Sequence, residues 1–354
     1  MLATYCASTI SQKKMVVLGT AGSMWDNLFE INLDLGELED QLIQLVDSVE
    51  LQAVAQSQLT ELAPLLGKAL GCEVELTIIP AARNQQEQIQ VLQSIADATF
   101  GAEKLTLDVT HGFRHLPMLA YTAILYLQTV QPQLRVEHIL YGEYDPETGK
   151  GEIHDLVGLV KISNWQNAIQ HSETTGDYSQ VSELVVDKEI GGWLKEASFY
   201  ENTHRAGQAR SPLKKVRNKI SNEPLTGPAA LFQPLLLERT SWVEENLLYQ
   251  RQRAQAYRSL ERKDFLRAAL YGFEAFITRK VQEIAGAGSN VAQYEQRRKI
   301  QEEELDGPAY WRTDEAKAYK MLRNIRNTLA HGNQNSAKEV QQAQFTLRSS
   351  GIKN

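Results

Sequence analysis

Cysteine is almost missing: Cys6 and Cys72 are the two thiols of the 354-residue chain. Two cysteines so far apart make neither a disulfide framework nor a metal-ligand pair, and they suit a reducing cytoplasm. The seven histidines show no His-Glu-x-x-His spacing, and no Cys-x-x-Cys accompanies them, so no metal site and no cofactor is expected. No charged start precedes a long apolar stretch, which argues against a signal peptide. The longest apolar run, Leu116–Leu127, is too short to cross a bilayer, so no membrane partner is expected. Repeats and low-complexity tracts are also lacking. What remains, 42% hydrophobic and 23% charged residues, is ordinary for a folded protein of two or three domains.

The net charge of −7 hides an asymmetry. Residues 1–160 carry 8 Lys/Arg against 21 Asp/Glu, a net of −13, and the remainder carries 29 against 23, a net of +6. A basic half attracts nucleic-acid phosphates. An acidic half binds an anion only through local donors such as backbone N–H groups and a few placed cations.

Short β-branched runs at Lys14–Thr20, Cys72–Pro80, Lys104–Thr110 and Arg135–Tyr144 alternate with helical stretches at 37–70, 85–100 and 117–129. Pro64 marks a break or a new first turn in the first of these, and the cluster Asp145–Lys150 reads as a turn before a returning strand. Such alternation predicts a parallel-sheet α/β domain over residues 1–162. Beyond about residue 163 strands vanish, and 164–171, 178–200, 229–262, 264–285 and 314–331 read as helices. The basic stretch Arg205–Lys219 reads as a solvated loop or an RNA-facing surface.

Two segments carry chemistry. Asp108, Thr110, His111 and Gly112 close the third strand, with Arg114 next and Pro117 suited to a first helical turn. A strand-to-helix loop of this kind lies at the carboxyl edge of an α/β sheet, where ligands bind, and a helix N-terminus favours phosphate. The same residues also suit a purely structural turn. Gly19, Thr20 and Ser23 after the first strand offer a second, weaker phosphate loop, with Trp25 nearby as a base-stacking or a core residue. Near the far end, Arg326, Asn327 and His331 lie on one helix, with Thr313 as its N-cap and Gly332 as the residue that ends it. Tyr319, Leu322, Ile325 and Leu329 form an apolar stripe that includes Arg326, and a charge there must face a polar groove or an interface. His331 alone also fits a cation at a helix C-terminus. Glu274 is a candidate to orient Arg326.

The Asp-x-Thr-His-Gly run resembles the hallmark of the CARF domain, the Rossmann-like sensor of CRISPR-associated proteins. The Arg-Asn-x-x-x-His run is similar to the Arg-x4–6-His motif of HEPN ribonucleases. Together they resemble the CARF–HEPN ribonucleases of type III CRISPR systems. The resemblance implies a CARF sensor domain at 1–162, a helical connector at 163–240 and an all-α HEPN domain at 241–354. It implies a metal-independent endoribonuclease on single-stranded RNA, acting as a homodimer or higher even oligomer in antiviral defence, with Arg326, Asn327 and His331 at a site shared by two protomers. The activator it implies is a cyclic oligoadenylate, with the tetra-adenylate favoured, bound by Gly19, Thr20, Ser23, Thr110, His111, Gly112 and Arg114. Two rivals remain at this point: a sensor without nuclease activity, such as a transcription regulator, and a ring nuclease that degrades the activator through the Thr20, Ser23 or His111 region.

Overall fold

The computed structural model describes residues 13–30, 38–112, 115–286, 290–306, 313–332 and 341. It forms two compact units, Met1–Val160 and Lys161–Asn354. In the first, β1 (Lys14–Gly19) pairs in parallel with β2 (Glu73–Ile78), with Lys14 opposite Glu73 and Gly19 opposite Ile78. The helices between them are α1 (Glu39–Glu50) and α2 (Gln56–Leu70). Leu45, Leu59, Leu62 and Leu66 meet Trp25 and Leu76 in one core. Burying each such side chain is worth about 1.5–3 kcal/mol.

Pro64 does not break the helix, contrary to the sequence reading. It sits inside α2, and the break falls at 51–55 instead. An interior proline costs ~3 kcal/mol. The apolar face Leu59, Leu62, Ala63 and Leu66 outweighs that cost because it is buried along its length.

After α3 (Gln85–Ala98), capped by Asn84, come β3 (Lys104–Asp108) and α4 (His115–Val130), then β4 (Arg135–Asp145) and β5 (Lys150–Asp155). β3 pairs in parallel with β4, and β5 returns antiparallel to β4. Among the described residues the strands thus make two sheets, one of two strands and one of three, with parallel pairing in each and β5 as the strand that returns after the turn at Asp145–Lys150. Helix α4 starts two residues before Pro117, and a proline at the third helical position is harmless because the first four N–H groups have no partner within the helix.

The helix α5 (Gly158–Thr175) leads into the second unit. There follow α6 (Ser179–Leu184), α7 (Lys188–Asn202), α8 (Ala206–Asn222), α9 (Pro228–Arg239), α10 (Leu248–Glu261) and α11 (Phe265–Ala285). The last two are α12 (Tyr294–Ile300), prolonged by a π turn to Leu305, and α13 (Asp314–His331). One core runs from Trp165 through Leu194, Leu213 and Val243 to Tyr271, so residues on both sides of position 240 share it. A second, Phe273, Ile277, Val281, Ile300 and Tyr319, joins α11 to α13.

The basic stretch is a helix, not a loop. Ala206, Ala209, Leu213, Val216 and Ile220 recur at helical spacing and are buried, which fixes α8 against its neighbours. Its cations are engaged within the unit: Lys219 pairs with Asp187 at 2.7 Å, Arg217 with Glu244 at 2.9 Å, and Arg210 donates to the Val243 carbonyl at 3.0 Å.

His204 joins α7 to α8 in the left-handed region (φ 59°), with its ring edge-on to Tyr271 at 5.2 Å and Nδ1 buried without a partner. Burial, and then the nearby Arg267, lowers its pKa below the usual 6.5. The folded state therefore resists protonation, while the unfolded chain accepts it near its ordinary value. Stability must fall as pH drops below 6.5. Melting curves from pH 8 to 5.5 should show this loss, and His204→Asn, which tolerates the left-handed backbone, should flatten it.

Candidate functional site

Parallel pairing sends the carboxyl ends of paired strands to the same edge. Gly19 at the end of β1 accepts from the Ile79 N–H at 2.8 Å, and Ala81, two residues on, accepts from His115 Nε2 at 2.8 Å. These bonds tie the loop after β1 and the start of α4 to the intervening segment 79–84. The sequence reading named the first and third loops and missed this one, although a strand ending at Pro80 and a helix starting at 85 already implied it.

The loop after β1 is a tight turn. Ser23 N–H donates to the Thr20 carbonyl at 3.0 Å, Ser23 Oγ accepts from Thr20 N–H at 2.9 Å, and the two hydroxyls lie 3.2 Å apart. Trp25 is a core residue: it is 2% exposed and its Nε1 donates to the Thr20 carbonyl at 2.8 Å, so it does not stack on a ligand base. The N–H groups of Ala21 and Gly22 make no hydrogen bond among the described residues.

At the end of β3, Asp108 Oδ1 accepts from Thr110 N–H at 2.9 Å, and Thr110 Oγ1 accepts from the Gly142 N–H of β4 at 2.8 Å. The threonine hydroxyl keeps its own hydrogen to donate. His111 and Gly112 are exposed, and their N–H groups also make no hydrogen bond among the described residues. Gly112 has φ 117°, a conformation that side chains rarely adopt. Arg114 lies outside the described residues. The two loops thus offer four amides unengaged among the described residues, at Ala21, Gly22, His111 and Gly112, together with the hydroxyls of Thr20, Ser23 and Thr110. That is a chemistry for phosphates rather than for metals. No cluster of His, Cys, Asp or Glu suited to a metal ion occurs among the described residues.

In the second unit, Thr313 Oγ1 caps α13 by accepting from Ala316 N–H at 3.1 Å, and Gly332 ends it in the left-handed region (φ 65°). Arg326 is half-buried with its guanidinium 4.4 Å above the Phe273 ring, and its Nε is buried without an acceptor. No carboxylate pairs with Arg326 among the described residues. Glu274 does not orient it: that carboxylate binds Arg297 at 2.5 Å. Asn327 and His331, one turn apart, are exposed on the neighbouring face. Leu322 and Ile325 line a groove of about 460 Å³ whose walls include Tyr249, Tyr257, Arg253 and Arg279. Phe273 and this groove were illegible in the sequence, because they depend on how α10 and α11 pack on α13.

Gly19 is the tightest point of the first loop. A Cβ built there would lie 2.7 Å from Trp25 Cζ2. Gly19→Ala should therefore cost about 1–3 kcal/mol, read as a lowered melting temperature, with the turn displaced along with Trp25.

Residues 3–145 match the sequence model of the family described as CRISPR system endoribonuclease Csx1, CARF domain. The first unit therefore carries a CARF domain. The chain is also 23% identical, over 235 residues, to the CRISPR-associated protein MJ1674 of Methanocaldococcus jannaschii, a match covering 60% of this chain and 37% of that protein. The chain thus spans well under half the length of that relative. No helix of the described residues is long and apolar enough to cross a membrane.

Proposed function

We propose that this chain is a cyclic-oligoadenylate-activated endoribonuclease of CRISPR antiviral defence, cutting single-stranded RNA without a metal ion. The CARF match and the amide-rich edge support the first half: a ring of phosphates meets N–H groups of Ala21, Gly22, His111 and Gly112 and the hydroxyls of Thr20, Ser23 and Thr110. A two-fold dimer presents that edge twice, matching the rotational symmetry of the cyclic tetra-adenylate.

The observation that carries the second half is Arg326. A guanidinium kept on an apolar stripe, seated on Phe273 and without a carboxylate among the described residues, is a cation held ready for an anion. In the reaction, His331 takes the proton of a ribose 2′-hydroxyl as that oxygen attacks the adjacent phosphorus. The bond to the 5′-oxygen breaks, and that oxygen leaves with a proton. The products are a 2′,3′-cyclic phosphate and a 5′-hydroxyl. Arg326 stabilises the charge on the phosphoryl oxygens, and Asn327 orients the attacking group. Arg326 and His331 of two protomers form the composite site. Ring binding shifts the population toward the arrangement in which that site is assembled, which requires the ring to favour that arrangement.

A fluorescent single-stranded RNA should be cleaved much faster with cyclic tetra-adenylate than without, and EDTA should leave the rate unchanged. His331→Ala should lower kcat by about 10²–10⁴-fold, with ring affinity unaltered. Undiminished cleavage by that variant, or full cleavage without any ring, would contradict the proposal.

A further inference from the structure

The second unit holds a cluster of arginines that neither the motif chemistry nor the fold accounts for. Arg239 ends α9 and is 4% exposed, yet all three of its guanidinium nitrogens lack a hydrogen-bond acceptor. The nearest carboxylate oxygens, on Glu173 and Glu201, both lie 3.7 Å away, beyond hydrogen-bond reach. Glu201 is already committed, since its Oε1 accepts from Trp242 Nε1 at 3.0 Å and from Gln255 Nε2 at 3.1 Å. Leaving a buried charged donor unmade is costly, so Arg239 calls for a partner.

Three guanidinium groups converge at one place. A Cβ built on Gly176, which has φ 79°, would lie 2.8 Å from Arg262 Nη1, 3.3 Å from Arg267 Nη1 and 3.5 Å from Arg239 Nη2. Arg267 Nη1 donates to the Thr175 carbonyl at 2.6 Å, and its Nε is 3.2 Å from Asp264. The guanidinium of Arg262, by contrast, makes no hydrogen bond or ion pair among the described residues, where only its backbone N–H is engaged, by the Arg258 carbonyl at 3.2 Å. Arg258 stands behind them, donating to the Glu238 carbonyl at 2.8 Å and to Ser241 Oγ at 3.0 Å. The hydroxyl of Tyr178, whose ring faces Arg239, is also buried without a partner. Four guanidinium groups thus face three carboxylates, Glu173, Glu201 and Asp264, which leaves an excess of positive charge in a largely buried place. Burial, and then repulsion from Arg239, draws the Arg262 guanidinium down to about 10. The group remains charged at neutral pH.

We propose that this cluster is a binding site for a tetrahedral oxyanion of the phosphate class, held by Arg239, Arg262 and Arg267. Guanidinium groups match the paired oxygens of phosphate in a way that a lone ammonium does not. The anion supplies the acceptors that Arg239 and the Tyr178 hydroxyl lack and offsets the mutual repulsion of Arg239 and Arg262. The bound group is a free phosphate or the phosphoryl group of a nucleotide. It fastens together the ends of α5, α9 and α10 and the start of α11. The site is independent of the ribonuclease reading and contains none of Arg326, Asn327 and His331.

The test uses the full chain, dialysed into chloride buffer and titrated at constant ionic strength with inorganic phosphate or with AMP, by calorimetry and by melting temperature. A saturable heat and a saturable rise in melting temperature are expected with phosphate, AMP or both, and the response assigns the source. Arg262→Gln should weaken that binding at least tenfold. Its melting temperature in chloride should be equal to or above that of the parent, because the substitution removes a repelled charge. Arg298→Gln, which alters an exposed cation elsewhere, should bind like the parent. No saturable response to either ligand in the parent chain overturns the proposal, and so does equal affinity in Arg262→Gln.

Discussion

Any phosphate held by the first 160 residues is held against a net charge of −13. At physiological salt that field is screened within about 8 Å, so a site survives if its donors act at contact range. Backbone amides are such donors. Within each parallel pair, β1–β2 and β3–β4, the strands end at a common edge, and the turns after β1 and β3 leave N–H groups unengaged among the described residues. Asp108 takes the Thr110 amide and so fixes the start of the loop, and the next two amides, of His111 and Gly112, make no hydrogen bond among the described residues. One carboxylate thus serves as scaffold beside amides that have no partner among the described residues.

The second unit solves the opposite problem. Its net charge is +6, but most cations of α8 are engaged within the unit and do not read as a free binding surface. The specific cation is Arg326, which α13 carries onto Phe273 of α11 through an otherwise apolar contact. Aromatic stacking keeps the guanidinium in place at low cost without neutralising it. The adjoining groove places two tyrosines and two arginines beside the same helix, a combination suited to bases and phosphates of a single strand.

Much of this was legible in the sequence because it rests on local rules. β1 to β4, the hairpin after Asp145, the Thr313 cap and the Gly332 terminus follow from β-branched runs, turn residues and capping chemistry. The errors arose where packing overrules local preference. Pro64 stays helical because its helix has a buried face, and 205–219 is a helix because alternate turns of a charged stretch carry alanine and leucine. Long-range pairings were invisible: Glu274 with Arg297, Arg326 with Phe273, and the convergence of Arg239, Arg262 and Arg267 on Gly176, which spans about ninety residues of chain.

The central claim is that a ring nucleotide bound by the first unit changes the state of the terminal helix in the second. Amide hydrogen exchange with and without cyclic tetra-adenylate reads both ends at once. The account predicts slowed exchange at residues 19–23 and 110–112, together with altered exchange across 314–331. Bound ring with unaltered exchange in 314–331, or no protection at either loop, would contradict it.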